Sequence, residues 1–296
     1  FSDESNDCSS NFTIVFIVFG IIAGLLMIIV VGLFIFVTVM GMILKYQRLR
    51  TASPVFLLIL LISIFVGFSS LYAFFGKPHP VSCAFQPWLL GLPSISMISA
   101  LTVKNVRIWL IFKDTDSLKR KKIKDFHLLI LWIGMMIPGL LIVILWTVIS
   151  TPTAAIRNIQ GNDHYVCTTG GFTGEPGGII FFSILVGYSA FVLLIGAVVS
   201  FLVRNSPAMF NETKLMTISI YNLGFLAVVV IPVFLVVRPI NPFAAWIIRS
   251  TAVLYSFAAT LFLQFAPKVF GIIVVDKGKN VQASVTFTNS TPKSKQ

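Results

Sequence analysis

The sequence predicts an all-α fold, a bundle of seven transmembrane helices with the N-terminus outside and the C-terminus cytoplasmic. Three observations lead there. Of 296 residues, 57% are hydrophobic and 11% charged, where a soluble domain carries about 25% charged residues. The charges are segregated, so that seven long runs carry none. Lys and Arg crowd one side of those runs.

The uncharged runs are Phe12–Leu44, Val55–Gly76, Pro78–Val103, Leu128–Ile156, Pro176–Val203, Leu215–Val237 and Ser250–Pro267. Crossing the hydrocarbon takes roughly 20 apolar residues, and the first six runs clear that length. The seventh has 18 residues and extends backward through Phe243–Ile248, with Arg249 as the interruption. Between the fifth and sixth spans stands Arg204-Asn-Ser-Pro-Ala-Met-Phe-Asn-Glu-Thr-Lys214. Pro207 cannot continue the helix before it, and Asn211 followed by Glu212 suits an N-cap and a first turn. The segment reads as a short, rigid loop.

Orientation follows from the basic residues. Lys45–Pro54, Lys113–Asp125, Arg204–Lys214 and the tail from Lys268 hold 3, 6, 2 and 5 of them, and Lys104 with Arg107 raise that side to 18. The other side has 4: Lys77, Arg157, Arg238 and Arg249. Cytoplasmic loops carry such an excess. The net charge of +12 is then this bias plus attraction to anionic membrane lipid, and nucleic acid is not an expected partner. Residues 1–11 read as an extracellular stub, 12–275 as the membrane domain and 276–296 as a Ser/Thr-rich cytoplasmic tail of disordered composition. Phe1 is preceded by no n-region or h-region, which reads as a removed signal peptide or an ectodomain left out.

Cys8, Cys83 and Cys167 all fall on the outer side, where disulfides persist. Cys83 opens the third span and Cys167 lies in the longest outer loop. A bridge between them ties that loop over the bundle; two free thiols are the alternative. Cys8 is left for an ectodomain or a second chain. Of the sequons at Asn11, Asn211 and Asn289, only Asn11 falls outside, and it abuts the membrane.

Transport and intramembrane catalysis use ionisable groups inside the bundle. No Asp or Glu lies within a span, and the chain has no HExxH, no His/Cys cluster and no GxSxG. Neither enzyme activity nor a metal or cofactor is expected. Lys268, at the inner end of the last span, lacks the carboxylate that a retinal protein needs. What remains is a cytoplasmic mouth with Lys104, Arg107, Glu212, Lys214 and Lys268. Snorkelling at a helix end accounts equally well for Arg107 and Lys214. Lys104 lies three residues deeper than Arg107, behind an apolar run, and favours an anionic partner. Glu212 reads as the only carboxylate at the cytoplasmic base of a span.

Four segments, in order, resemble the class C G-protein-coupled receptors, the metabotropic glutamate and GABA-B group. The third span, from Cys83-Ala-Phe-Gln-Pro-Trp-Leu-Leu-Gly91 to Leu101-Thr-Val-Lys-Asn-Val-Arg-Ile-Trp-Leu-Ile-Phe112, is similar to the family's leading Cys and its Thr-Lys-x-x-Arg-Ile-x-x-Ile-Phe ending. The Arg204–Lys214 segment resembles its third intracellular loop. Pro232 falls at the spacing of a proline in the glutamate branch, and Pro267-Lys-Val-Phe270 resembles Pro-Lys-Val-Tyr at the end of the seventh span. The resemblance covers about Lys45–Val274. Ala227 stands where the glutamate branch has a tryptophan, and Tyr221-Asn-Leu-Gly224 is similar to the GABA-B branch.

The resemblance implies a G-protein-coupled receptor fold in the plasma membrane, relaying an extracellular stimulus to a heterotrimeric G protein by helix rearrangement. The expected assembly is a homo- or heterodimer with a class C receptor. It further implies a Cys83–Cys167 disulfide and an inactive-state ionic lock between Lys104 and Glu212. G-protein contacts are expected at Lys119, Arg120, Lys121 and Lys122 of the second intracellular loop, and at Arg204 and Lys268. Anionic lipid competes for that four-residue basic run. An apolar allosteric pocket, open to the outside, is expected from Leu90, Ser94, Ala227, Val230 and Ser256, with plain packing by small residues as the alternative. The family binds its natural agonist in a bilobed flytrap ectodomain absent from these residues, so agonist identity stays open. Two other functions stay open as well: a receptor-like dimer partner without its own coupling, and a heptahelical transporter, channel or lipid-handling protein.

Overall fold

The computed structural model describes residues 9–43, 53–73, 80–113, 125–159, 162–169, 174–203, 210–237, 240 and 242–271. Cys8, Lys119, Arg120, Lys121, Lys122, Arg204 and the tail 276–296 lie outside the described residues, as do the side chains of Asn11 and Glu212. Seven helices are long and apolar enough to cross a membrane. They are α1 (Ser9–Val37, continued by a π-helical stretch over Thr38–Ile43), α2 (Pro54–Tyr72), α3 (Pro80–Lys113), α4 (Asp125–Ile149), α5 (Gly174–Val203), α6 (Phe210–Val237) and α7 (Pro242–Phe270). A β-hairpin, β1 (Pro152–Ile159) and β2 (Asn162–Thr169), stands between α4 and α5.

Local chemistry sets several of these ends. Pro54, Pro80 and Pro242 open α2, α3 and α7, where a missing N–H removes nothing the helix would have bonded. Pro87 and Pro93 in α3, Pro138 in α4, Pro232 in α6 and Pro267 in α7 stand inside helices, as membrane helices tolerate when neighbours re-satisfy the freed carbonyls.

The centre of the bundle is α3, which packs against α2, α4, α5 and α6. Two-thirds (67%) of its most apolar stretch is buried, against 6% for α6. The main core joins Leu57, Leu60, Leu61, Ile64 and Phe68 of α2, Met97 and Leu101 of α3, and Phe257, Leu261 and Phe265 of α7. Small residues let the helices approach closely. A Cβ added to Gly67 would lie 2.5 and 2.6 Å from two ring carbons of Phe257, and one on Gly139 would lie 2.7 Å from Ile95 Cδ1. At one end of the bundle Phe16 and Phe19 of α1 meet Trp246 of α7 edge-on, at centroid distances of 4.4 and 5.4 Å. Outward-facing apolar side chains such as Phe225, Val228 and Val148 are exposed all round, which suits lipid and not water.

Two expectations about boundaries are corrected. The fourth uncharged run ends helical structure at Ile149, and residues 152–156 belong to β1 instead of the span. The β-branched and alternating residues of 152–169 prefer the pleated form, and the antiparallel register, from Pro152 opposite Thr169 to Ile159 opposite Asn162, keeps them paired. Helix α6 begins at Phe210, which puts Asn211 inside it and not at the N-cap, a one-residue difference of the kind helix ends commonly show.

Candidate functional site at the basic end of the bundle

The hairpin end is fixed by one covalent bond. Cys83, 1% exposed near the start of α3, is joined to Cys167 of β2 with a Cα–Cα distance of 5.6 Å, inside the usual range for a disulfide. Gln86, one turn further along α3, points its side-chain amide at the same sulfur. The hairpin is thus tied to the central helix, and β1 also packs on α3 while β2 packs on α5.

At the other end the helices converge with their polar groups. Asn105 of α3 donates its side-chain amide to Ser200 Oγ of α5 at 2.6 Å, and both residues are fully buried. Gln264 of α7 donates to Ser219 Oγ of α6 at 3.0 Å. Lys268, one turn beyond, donates to the Gln264 carbonyl at 3.2 Å. Ile108 of α3, Val203 of α5 and Met216 of α6 pack into one small apolar cluster, so the ends of these three helices meet.

Lys104 sits one turn inside Ile108 and is only 5% exposed. An uncompensated charge at such depth costs several kcal/mol, on the order of 3–5 when one partner of a buried pair is removed. Glu212 lies in the first turn of α6, one turn from Met216.

A carboxylate that sequence reasoning passed over completes the site. Asp125 is the first residue of α4, so Glu212 is not the only acid at the base of a span, as had been expected. Arg107 Nη1 lies 3.4 Å from Asp125 Oδ1, and Ser53 Oγ donates to the same oxygen at 3.1 Å. Arg107 therefore does more than snorkel. The missed signal was the position of Asp125 itself, an acid at a helix N-terminus, where the aligned peptide dipoles favour negative charge.

The five residues expected to line a pocket are spread over three helices. Leu90 packs against the main core, and Ser94 Oγ returns to the Leu90 carbonyl at 2.7 Å. Ala227 and Val230 are half-buried on α6. Ser256 borders a slight crevice between α6 and α7, together with Ser219, Asn222, Leu223, Ala259, Thr260 and Leu263. Leu90, Ser94, Ala227 and Val230 do not line that crevice. Among the described residues no group of three or more His, Cys, Asp or Glu is placed to hold a metal ion.

Seven apolar helices, the third of them central and buried, with a hairpin bridged to that helix, define a heptahelical receptor domain. Residues 8–268 match the family model described as the 7 transmembrane sweet-taste receptor of 3 GCPR. The chain belongs to this family, the class C G-protein-coupled receptors, and is a multi-pass membrane protein of the plasma-membrane receptor class. It is 29% identical over 259 residues, or 87% of its length, to metabotropic glutamate receptor-like protein E of Dictyostelium discoideum. It is 31% identical over 257 residues, or 84% of its length, to protein H of the same series. The chain spans about a third of the length of these relatives, 30% and 33% respectively.

Proposed function

We propose that this domain transduces an extracellular stimulus to a heterotrimeric G protein, with the hairpin end outside and the basic end in the cytoplasm. The observation that carries the reading is the burial of Lys104 at the end of the central helix, where α3, α5 and α6 meet. A buried cation there gives the bundle something to switch: an anion on α6 holds the helices together, and its departure frees the first turns of α6. The excess of Lys and Arg at this end supports the orientation. The run Lys119–Lys122, together with Arg204 and Lys268, supplies the charge for a G-protein surface. Membership of the class C family supports assembly with a second class C chain, the same or different.

The test is nucleotide exchange by purified heterotrimeric G proteins added to the full chain in nanodiscs, using the Glu212→Gln background to release the switch. Exchange above empty nanodiscs is expected, and replacing Lys119–Lys122 by Gln at equal insertion should lower it. An unchanged rate refutes the loop contact. No exchange with any G-protein class, alongside co-purification with a second class C chain, would instead make the domain a non-coupling partner.

A further inference from the structure

Helix α5 is fixed to the central helix at two adjacent points. Asn105 of α3 donates to Ser200 Oγ of α5 at 2.6 Å, with both residues fully buried. One turn back toward the hairpin end, a Cβ added to Gly196 would lie 2.5 Å from Thr102 Oγ1 and 3.6 Å from Thr102 Cβ. The missing side chain leaves a notch, and the fully buried Thr102 fills it. Ser94, Ser219 and Thr260 return their hydroxyls to the carbonyl one turn back. Thr102 forgoes that bond and turns its hydroxyl toward α5. Both contacts depend on register: a slide of half a turn, about 2.7 Å, stretches the bond beyond hydrogen-bonding range and moves the notch off the threonine. In hydrocarbon the broken bond finds no water to replace it. Helix α6 meets this seam differently. Ile108 and Met216 share one apolar cluster, and the Gly196 Cβ position lies 3.3 Å from Ile220 Cδ1. Such contacts have no hydrogen-bond direction to lose, and α3 packs far more extensively along α5 than along α6.

We propose that Asn105 is the positioning residue of this seam: with Ser200, and with Thr102 in the Gly196 notch, it makes α3 and α5 one rigid unit against which α6 moves when the basic end opens. The use of the unit rests on the function proposed above. Lys104, next to Asn105 in the chain, is the cation that α6 leaves in that reading, and Asn105 holds α5 in place while it does so. The end of α5 then remains a fixed edge of the opened end instead of following α6 outward.

The notch allows a covalent test. Cβ atoms 3.6 Å apart are within disulfide reach, about 3.5–4.5 Å, so Thr102→Cys with Gly196→Cys should staple α3 to α5. The parent is the full chain with Cys8→Ser and Glu212→Gln, in nanodiscs with purified G protein. Asn105→Leu should lower nucleotide exchange about threefold, the factor an average side-chain bond between membrane helices carries. Adding the staple to Asn105→Leu should restore the parent rate. A stapled chain that no longer exchanges overturns the rigid unit, because α5 must then slide on α3. Failure of the two cysteines to bond at equal insertion overturns it as well. A second measurement needs neither the notch variants nor a G protein. Spin labels at Leu131→Cys on α4 and Leu202→Cys on α5, both exposed positions, should keep one separation with and without Glu212→Gln. The separation of Leu202→Cys from Ile218→Cys on α6 should change. A change in the first distance overturns the unit. A constant first distance with no exchange from the parent chain leaves the unit standing and overturns the function proposed above.

Discussion

Gln264 of α7 donates its side-chain amide to Ser219 Oγ of α6 at 3.0 Å, and each residue is 1% exposed. Helix α6 buries little of its surface in the bundle, so a side-chain bond to a neighbour matters for its placement. In hydrocarbon neither group finds water as an alternative, but the unfolded chain in the membrane finds other partners, so such bonds average about 0.6 kcal/mol with a ceiling near 1.7. Gln264→Leu and Ser219→Ala should each lower stability to denaturing detergent. The double variant should lose less than the two losses added, by about 0.6 kcal/mol. Strict additivity would show that the bond contributes nothing.

Gly67 sets how closely α2 approaches α7. Its missing side chain leaves room for the Phe257 ring, which also meets Phe68 edge-on at 6.0 Å. Neither helix has slack at this point, because Leu57, Leu60, Leu61 and Ile64 on one side and Leu261 and Phe265 on the other are all within the core. Gly67→Val should destabilise by about 1–3 kcal/mol, the usual range for overpacking. Phe257→Leu in the same chain should return part of it. If Gly67→Val melts with the parent protein, the close approach is not a constraint.

The Cys83–Cys167 bond closes a loop of 84 residues. Chain entropy alone would make such a bond worth over 4 kcal/mol, while measured values run about 2–4. Here the membrane already restricts the unfolded chain, which argues for the lower figure. Cys83→Ser and Cys167→Ser should lower thermal stability equally, with no further loss in the double variant. Unequal losses would point to a free thiol with a damaging role of its own.

Much of this architecture was legible in the sequence because membrane helices obey a coarse rule. A run of uncharged residues must be long enough to span, and its flanks must carry the charges, so seven runs gave seven helices and the basic excess marked one end. The hairpin was not read, although Gln160-Gly161 stands between two runs rich in Thr, Ile and Val, the composition of a short β connection. Uncharged residues at 152–156 looked like more membrane helix because hydropathy does not distinguish a strand from a helix over so few positions. The Asp125 cluster escaped for another reason. Ser53, Arg107 and Asp125 are far apart in the chain, and only the packing of α2 and α4 on α3 brings them together. Lys104 was legible as a cation behind an apolar run, and it is 5% exposed.

The last prediction concerns the switch between Lys104 and Glu212. Lys104 is held at the hydrocarbon edge, where a cation is poorly solvated and an anion gains more than at a wet surface. Glu212 lies in the first turn of α6, where the helix dipole favours its ionised form by about 0.3–1 kcal/mol. The Ile108–Val203–Met216 cluster brings the two helices into contact at the end where Lys104 and the first turn of α6 lie. An exposed pair would contribute about 0–1 kcal/mol, whereas removing one partner of a buried pair costs roughly 3–5. A difference of 1.4 kcal/mol already changes a two-state population about tenfold. Glu212→Gln and Lys104→Met should each raise agonist-free nucleotide exchange on the G protein by about tenfold. The double variant should add little, since either change alone opens the lock. Strictly additive increases, or no increase in either single variant, would show that Glu212 serves only its own helix and Lys104 only the membrane edge.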